Sequence, residues 1–176
     1  MNHVKIFDKS KDITERNVDI IVAPVNRDLE TSGVHKPLDY VIYNHRYQLR
    51  MERSIIPDKS AVAYGDVYVI PEEDGGQSSL MYAVLESSKK DNNKKRLEQF
   101  YNNIFLKAID FGASSIRVPS LSHGIFLYPV QEVVHIGIDI AASFETFQEI
   151  QFYCYNDAYY NVFITYLEIL KDKWKK

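Results

Sequence analysis

Apolar positions fall along this chain in two alternating rhythms. Val4 to Phe7 predict a short first strand, and Val18 to Val25 form a Val- and Ile-rich run typical of a strand covered on both faces. Residues 35 to 50 read as a helix, with Leu38, Val41, Ile42 and Leu49 near one face. Val67 to Ile70 and Leu80 to Leu85 predict two strands separated by the turn-rich EEDGGQSS. From Asn92 to Phe111 the period becomes helical: Leu97, Tyr101, Ile104, Phe105, Ala108 and Phe111 share a stripe, and Gly112 is placed to stop the helix. Ser115 to Val118 is a further strand. A helix opening at Pro129 and running to about Phe144 turns Val130, Val133, Val134, Gly137, Ala141 and Phe144 inward. Ile150 to Tyr155 is the last strand, and Asn156 or Asp157 caps a final helix that reaches Trp174. No repeat, low-complexity tract or linker interrupts the alternation. The expectation is a single α/β domain over residues 1–176, with helices on both faces of its sheet.

Composition narrows the class. Hydrophobic residues make up 45% and aromatic residues 13% of the 176, enough for a filled core. A net charge of −3 argues against a binder that relies on a broad positive field for nucleic acid. The single cysteine, Cys154, forms no internal disulfide, so nothing points to an oxidising compartment. The start MNHVKIFDKSKD lacks the apolar core of a signal peptide, and no apolar run has the length of a membrane span. A soluble cytoplasmic protein with no membrane partner is expected. The five histidines, at 3, 35, 45, 123 and 135, show no paired metal-ligand spacing, so no metal or other cofactor is expected.

Candidate chemistry concentrates in VPSLSHGIFLYP, residues 118 to 129. A strand stops, turns through Ser122, His123 and Gly124, and feeds a helix start at Pro129. Such a turn exposes backbone N–H groups at a helix N-terminus, where the dipole favours anions. Three other loops fall at comparable strand ends, where open α/β sheets bind ligands. They contain Asp12-Ile13-Thr14, Asn26 with the following Gly33, and Tyr155.

With these residues in place the chain resembles a macro domain, the ADP-ribose-binding module. DIT at 12–14, VDIIVAPVN at 18–26, SGV at 32–34 and SHGIFLYP at 122–129 stand in the order of that family's landmarks. The resemblance implies a three-layer α/β/α fold with a central mixed β-sheet flanked by helices. It implies that Asp12 accepts a hydrogen bond from the adenine amino group beside the Ile13 N–H, while Tyr155 stacks on adenine. Ser122, His123, Gly124, Ile125 and Phe126 would wrap the diphosphate, with Gly33 and Val34 as its other wall. Phe126 would also pack against the distal ribose, whose hydroxyls Asn26 would contact through an amide that both donates and accepts.

Departures from the family pattern bear on catalysis. Ala23-Pro24-Val25-Asn26 lacks the first asparagine of the Asn-Ala-Ala-Asn run usual in hydrolytic members, and DLETSGV carries one glycine. His35 stands where an acidic residue is expected, and Leu127 replaces a frequent glycine. Binding of ADP-ribose, free or protein-linked, is therefore the leading expectation. An ADP-ribosyl hydrolase or O-acetyl-ADP-ribose deacetylase using Asn26 and His35 is the alternative. A macro-like fold devoted to protein or RNA interaction, through Lys89, Lys90, Lys94, Lys95 and Arg96, is the third. A solvated loop and helix start is the better account of that basic cluster, so nucleic acid is not the expected partner.

Overall fold

The computed structural model describes residues 1–31, 58–72, 78–89, 91–121 and 126–174. Six strands, β1 (Val4–Phe7), β2 (Ile20–Val25), β3 (Val67–Ile70), β4 (Ser79–Val84), β5 (Ser115–Pro119) and β6 (Glu149–Tyr153), form one sheet in the order β1-β6-β5-β2-β4-β3. All neighbours run parallel except β3, which pairs antiparallel with β4 at one edge. Three α-helices are described: α1 (Asn93–Phe111), α2 (Val130–Ser143) and α3 (Asp157–Trp174). This is the mixed sheet of an α/β fold. The helix expected over residues 35 to 50 lies outside the described residues. No described helix is long and apolar enough to cross a membrane.

Both faces of the sheet are buried, which explains continuous rather than alternating apolar runs. Ile20, Val22, Met81, Ala83, Ile116, Val118, Ile150 and Phe152 face the helices. Ile21, Ala23, Val25, Leu80, Tyr82, Val84 and Tyr153 face the other way, against Ile13, Val18, Leu29 and Val62 from loops. Cys154, just past β6, is fully buried on the helix side, and its N–H donates to the Phe7 carbonyl at 2.8 Å. Burial pushes its thiol up to about 12.

Element limits follow local chemistry. α1 ends in a Schellman motif: Gly112, at φ 88°, donates to Ile109, and Ala113 donates to Ala108 at 2.9 Å. Its buried stripe is Leu97, Phe100, Tyr101, Ile104, Phe105 and Ala108. Phe111, expected inside, is exposed in the last turn, and Phe100 takes the inward place. α2 buries Val133, Val134, Gly137, Ile138, Ala141 and Ala142, with Val130 and Phe144 half-buried at its ends. Asn156 caps α3 by accepting the Tyr159 N–H at 2.9 Å. β2 begins at Ile20 rather than Val18, because the Asp19 carboxylate is engaged by the N–H groups of Ser114 and Ser115. β6 stops at Tyr153, so Cys154 and Tyr155 form its exit.

Pro24 shapes the centre of the sheet. β2 pairs with β4 along its whole length, but with β5 only at Ile20 and Ile21. Val25 O accepts from Leu85 on the β4 side, so its neighbour Pro24 faces β5. A residue without an N–H is tolerated there because no ladder bond is required of it. The two strands thus part toward their carboxyl ends.

Candidate functional site

The parting of β2 and β5 is the place where an open α/β sheet offers a crevice. Asn26 leaves β2 at this edge. Its Oδ1 accepts the N–H groups of Asp28 at 2.9 Å and Glu30 at 3.0 Å, and its backbone N–H donates to Glu30 O at 3.0 Å. The carboxamide thus builds the turn that follows β2, as asparagine does in Asx turns. Its Nδ2 lies 3.5 Å from Glu30 Oε2, a marginal contact.

Asp12, Ile13 and Tyr155 are assembled at the exits of β1 and β6. The Asp12 carboxylate accepts the Thr14 N–H at 2.8 Å and the Thr14 hydroxyl at 2.7 Å. These bonds, hydroxyl first, hold its carboxyl below the usual range, and the Arg117 charge acts in the same direction. Ile13 is buried beneath it. Tyr153 joins the two flanks: its hydroxyl donates to Lys11 O at 3.0 Å, and its ring meets Tyr155 edge-on at 5.0 Å. Tyr155 is half-buried.

Arg117 sets the shape of this corner. It projects from the middle of β5 and is 2% exposed. Its Nε donates to Gln151 Oε1 at 2.8 Å, Nη1 to Ile13 O at 2.7 Å and Glu15 O at 2.5 Å, and Nη2 to Asn17 Oδ1 at 2.5 Å. Burial lowers the guanidinium from its ordinary value, opposed by Glu15 and Asp12. A planar fork with five donors suits this divergent set of acceptors, which an ammonium group would not match.

Against the exit loop of β4 lies the turn 126–128. Phe126, expected against a ribose, has its ring wholly buried in the helix-side core, so its side chain is core packing in this structure. Leu127 adopts φ 48° and is 64% exposed. The β4 exit loop supports this turn: Ser88 donates through its N–H to Phe126 O and through Oγ to Leu127 O, while Tyr128 Oη donates to Glu86 O. In the basic cluster beside it, Lys89 and Arg96 both contact the Glu86 carboxylate, and Lys94 pairs with Glu98. Lys89 and then Arg96 hold the Glu86 carboxyl below its ordinary value.

The model of the family described as Macro domain matches residues 44–137, just over half of the chain and inclusive of the SHGIFLYP motif. The chain belongs to the macro domain family. Solved macrodomains share its fold. A variant of the Oceanobacillus iheyensis macrodomain superposes with a TM-score of 0.75 at 20% identity, covering 97% of this chain and 92% of that one. The same bacterial macrodomain with ADP gives 0.66 at 19% identity, over 93% and 90%. A Trypanosoma brucei macrodomain in complex with ADP-ribose gives 0.70 at 19% identity, over 94% of this chain and 69% of that one. At such identities the likeness is one of fold. No curated protein matches the chain in sequence.

Within this macro domain, Asp12, Ile13 and Tyr155 come together, Asn26 leaves β2 where that strand parts from β5, and Phe126 is buried in the helix-side core. Gly33, Val34, His35, Ser122, His123, Gly124 and Ile125 lie outside the described residues. Arg117, Tyr153 and Ser88 support the site without having been expected there. Arg117 had a signal, a lone charge inside the apolar strand SIRVP. Ser88 had none, because its partners lie about forty positions away in the chain.

Proposed function

We propose that this macro domain binds ADP-ribose, free or as a protein-linked ADP-ribosyl group, across the carboxyl edge of its sheet. The observation that carries the reading is the corner built by Asp12, Ile13, Tyr153 and Tyr155, held by Arg117 on a macro-domain fold. A tyrosine beside an ionised carboxylate suits a purine bearing an exocyclic amine: the ring stacks and the carboxylate accepts. The solved relative from Trypanosoma brucei, named as a complex with ADP-ribose, supports the same assignment. The motif at 122–129 supplies the diphosphate-binding turn in this reading, with Gly33 and Val34 opposite and Asn26 donating through Nδ2 to the distal ribose. The hydrolase reading draws no support from Asn26, whose carboxamide oxygen already accepts two N–H groups of its own turn.

Titration calorimetry and thermal melting with ADP-ribose test the proposal. Ligand at about one hundred times its Kd should add about 2.7 kcal/mol of stability, a shift of several degrees in Tm. Tyr155→Ala should weaken binding by about 1–3 kcal/mol, as loss of a base–aromatic contact does. A flat titration with an unmoved Tm overturns the reading. Incubation with mono-ADP-ribosylated protein, scored for release of the modification, separates a hydrolase from a binder.

A further inference from the structure

Ser88 lies in the exit loop of β4, outside every group assigned a ligand role above. Its N–H donates to Phe126 O at 2.8 Å, and its Oγ donates to Leu127 O at 2.9 Å. One residue therefore grips two successive carbonyls. Tyr128 completes the attachment, donating through its hydroxyl to Glu86 O at 2.5 Å and through its N–H to Leu121 O at 3.3 Å.

What these bonds hold is a backbone conformation that leucine disfavours. At φ 48° the Leu127 Cβ crowds its own carbonyl, a position glycine takes without strain. The Leu127 side chain is largely exposed, so its packing supplies little to keep it there. Released from Ser88, the peptide would relax toward the right-handed or extended regions, shifting the Phe126 carbonyl and the end of the loop that follows β5.

We propose that Ser88 is a positioning residue for ligand binding, locking the Phe126–Tyr128 turn and thereby fixing the Phe126 and Leu127 carbonyls beside the exit of β4. The proposal rests on the ADP-ribose reading. It is tested by titrating ADP-ribose into the whole chain and into Ser88→Ala, Ser88→Thr, Leu127→Gly and the Ser88→Ala/Leu127→Gly pair. Loss of the hydroxyl should weaken binding about 5- to 10-fold, on the order of one lost hydrogen bond. Threonine, which keeps the hydroxyl, should restore affinity to within about twofold. With glycine at 127 the turn holds itself, and removing the Ser88 hydroxyl should then change affinity by less than about twofold. This dependence on residue 127 is a signature that a serine of merely structural use would not give. Equal affinity for Ser88→Ala and the unsubstituted chain, or equal losses in both backgrounds, overturns the proposal and leaves the ADP-ribose reading standing. A flat titration of the unsubstituted chain overturns that reading, and the proposal with it. Leu127→Gly alone must bind at least as tightly as the unsubstituted chain; roughly tenfold weaker binding refutes the proposal even where Ser88→Ala fails to fold.

Discussion

Leu127 shows how one dihedral angle ranks substitutions. Its left-handed backbone costs a residue bearing a Cβ about 1–2 kcal/mol, while glycine gives back about 0.5–1 kcal/mol through its freer unfolded chain. Leu127→Gly should therefore raise stability by up to about 1 kcal/mol, and Leu127→Val, branched at Cβ, should lower it by about 1 kcal/mol. Urea midpoints at constant m-value decide between these outcomes. Asp12 offers a pH test. Its folded carboxyl titrates below the ordinary value because Thr14 donates two hydrogen bonds to the ionised form. The folded chain thus holds this proton less tightly than the unfolded one. The resulting stability is complete above about pH 4 and disappears as pH falls through the lowered folded value. Asp12→Asn should flatten the acid limb of a Tm-against-pH curve and leave its neutral plateau nearly level.

At the scale of elements, α1 and α2 meet where Gly137 faces Tyr101. A Cβ at Gly137 would stand 2.9 Å from Tyr101 Cζ. That ring is fully buried and set among Phe100, Phe105 and Phe152, so it has nowhere to retreat. Overpacking costs about 1–3 kcal/mol, against about 1 kcal/mol gained from alanine in a helix. Gly137→Ala should still destabilise, lowering Tm by a few degrees. Arg117 ties β5 to the loop between β1 and β2. Arg117→Met would strand the buried Ile13 carbonyl and Gln151 side chain, at about 1–3 kcal/mol each, while Glu15 and Asn17 are exposed and turn to water. A loss of at least about 2 kcal/mol in urea unfolding is expected. Periodicity made most elements readable, since burial on both sheet faces writes itself as unbroken apolar runs. It misplaced Phe111, because the final helical turn before Gly112 winds clear of the core while its hydrophobic spacing continues.

At the scale of the whole molecule, alternation of strands and helices announced an α/β domain, and the motif order announced its family. Strand order was not legible: β5 lies between β6 and β2 through long-range pairing that no local pattern encodes. Asp12 and Tyr155 were singled out through the family resemblance, since a turn aspartate and a tyrosine at a strand exit carry no ligand signal of their own. Ser88 was not, because it acts on groups remote in sequence; Arg117 was legible only as a lone charge in an apolar strand, and geometry alone reveals its partners. The sole cysteine carries a practical consequence. With its thiol raised to about 12 and sealed under the exits of β1 and β6, Cys154 is nearly inert while the fold is closed. Alkylation by iodoacetamide in native buffer, followed by mass spectrometry, should therefore proceed only as fast as the molecule unlocks. Rapid labelling would show that this corner breathes on its own. Slow labelling would give the chain an internal stopwatch, one that any stabilising guest would make run slower still.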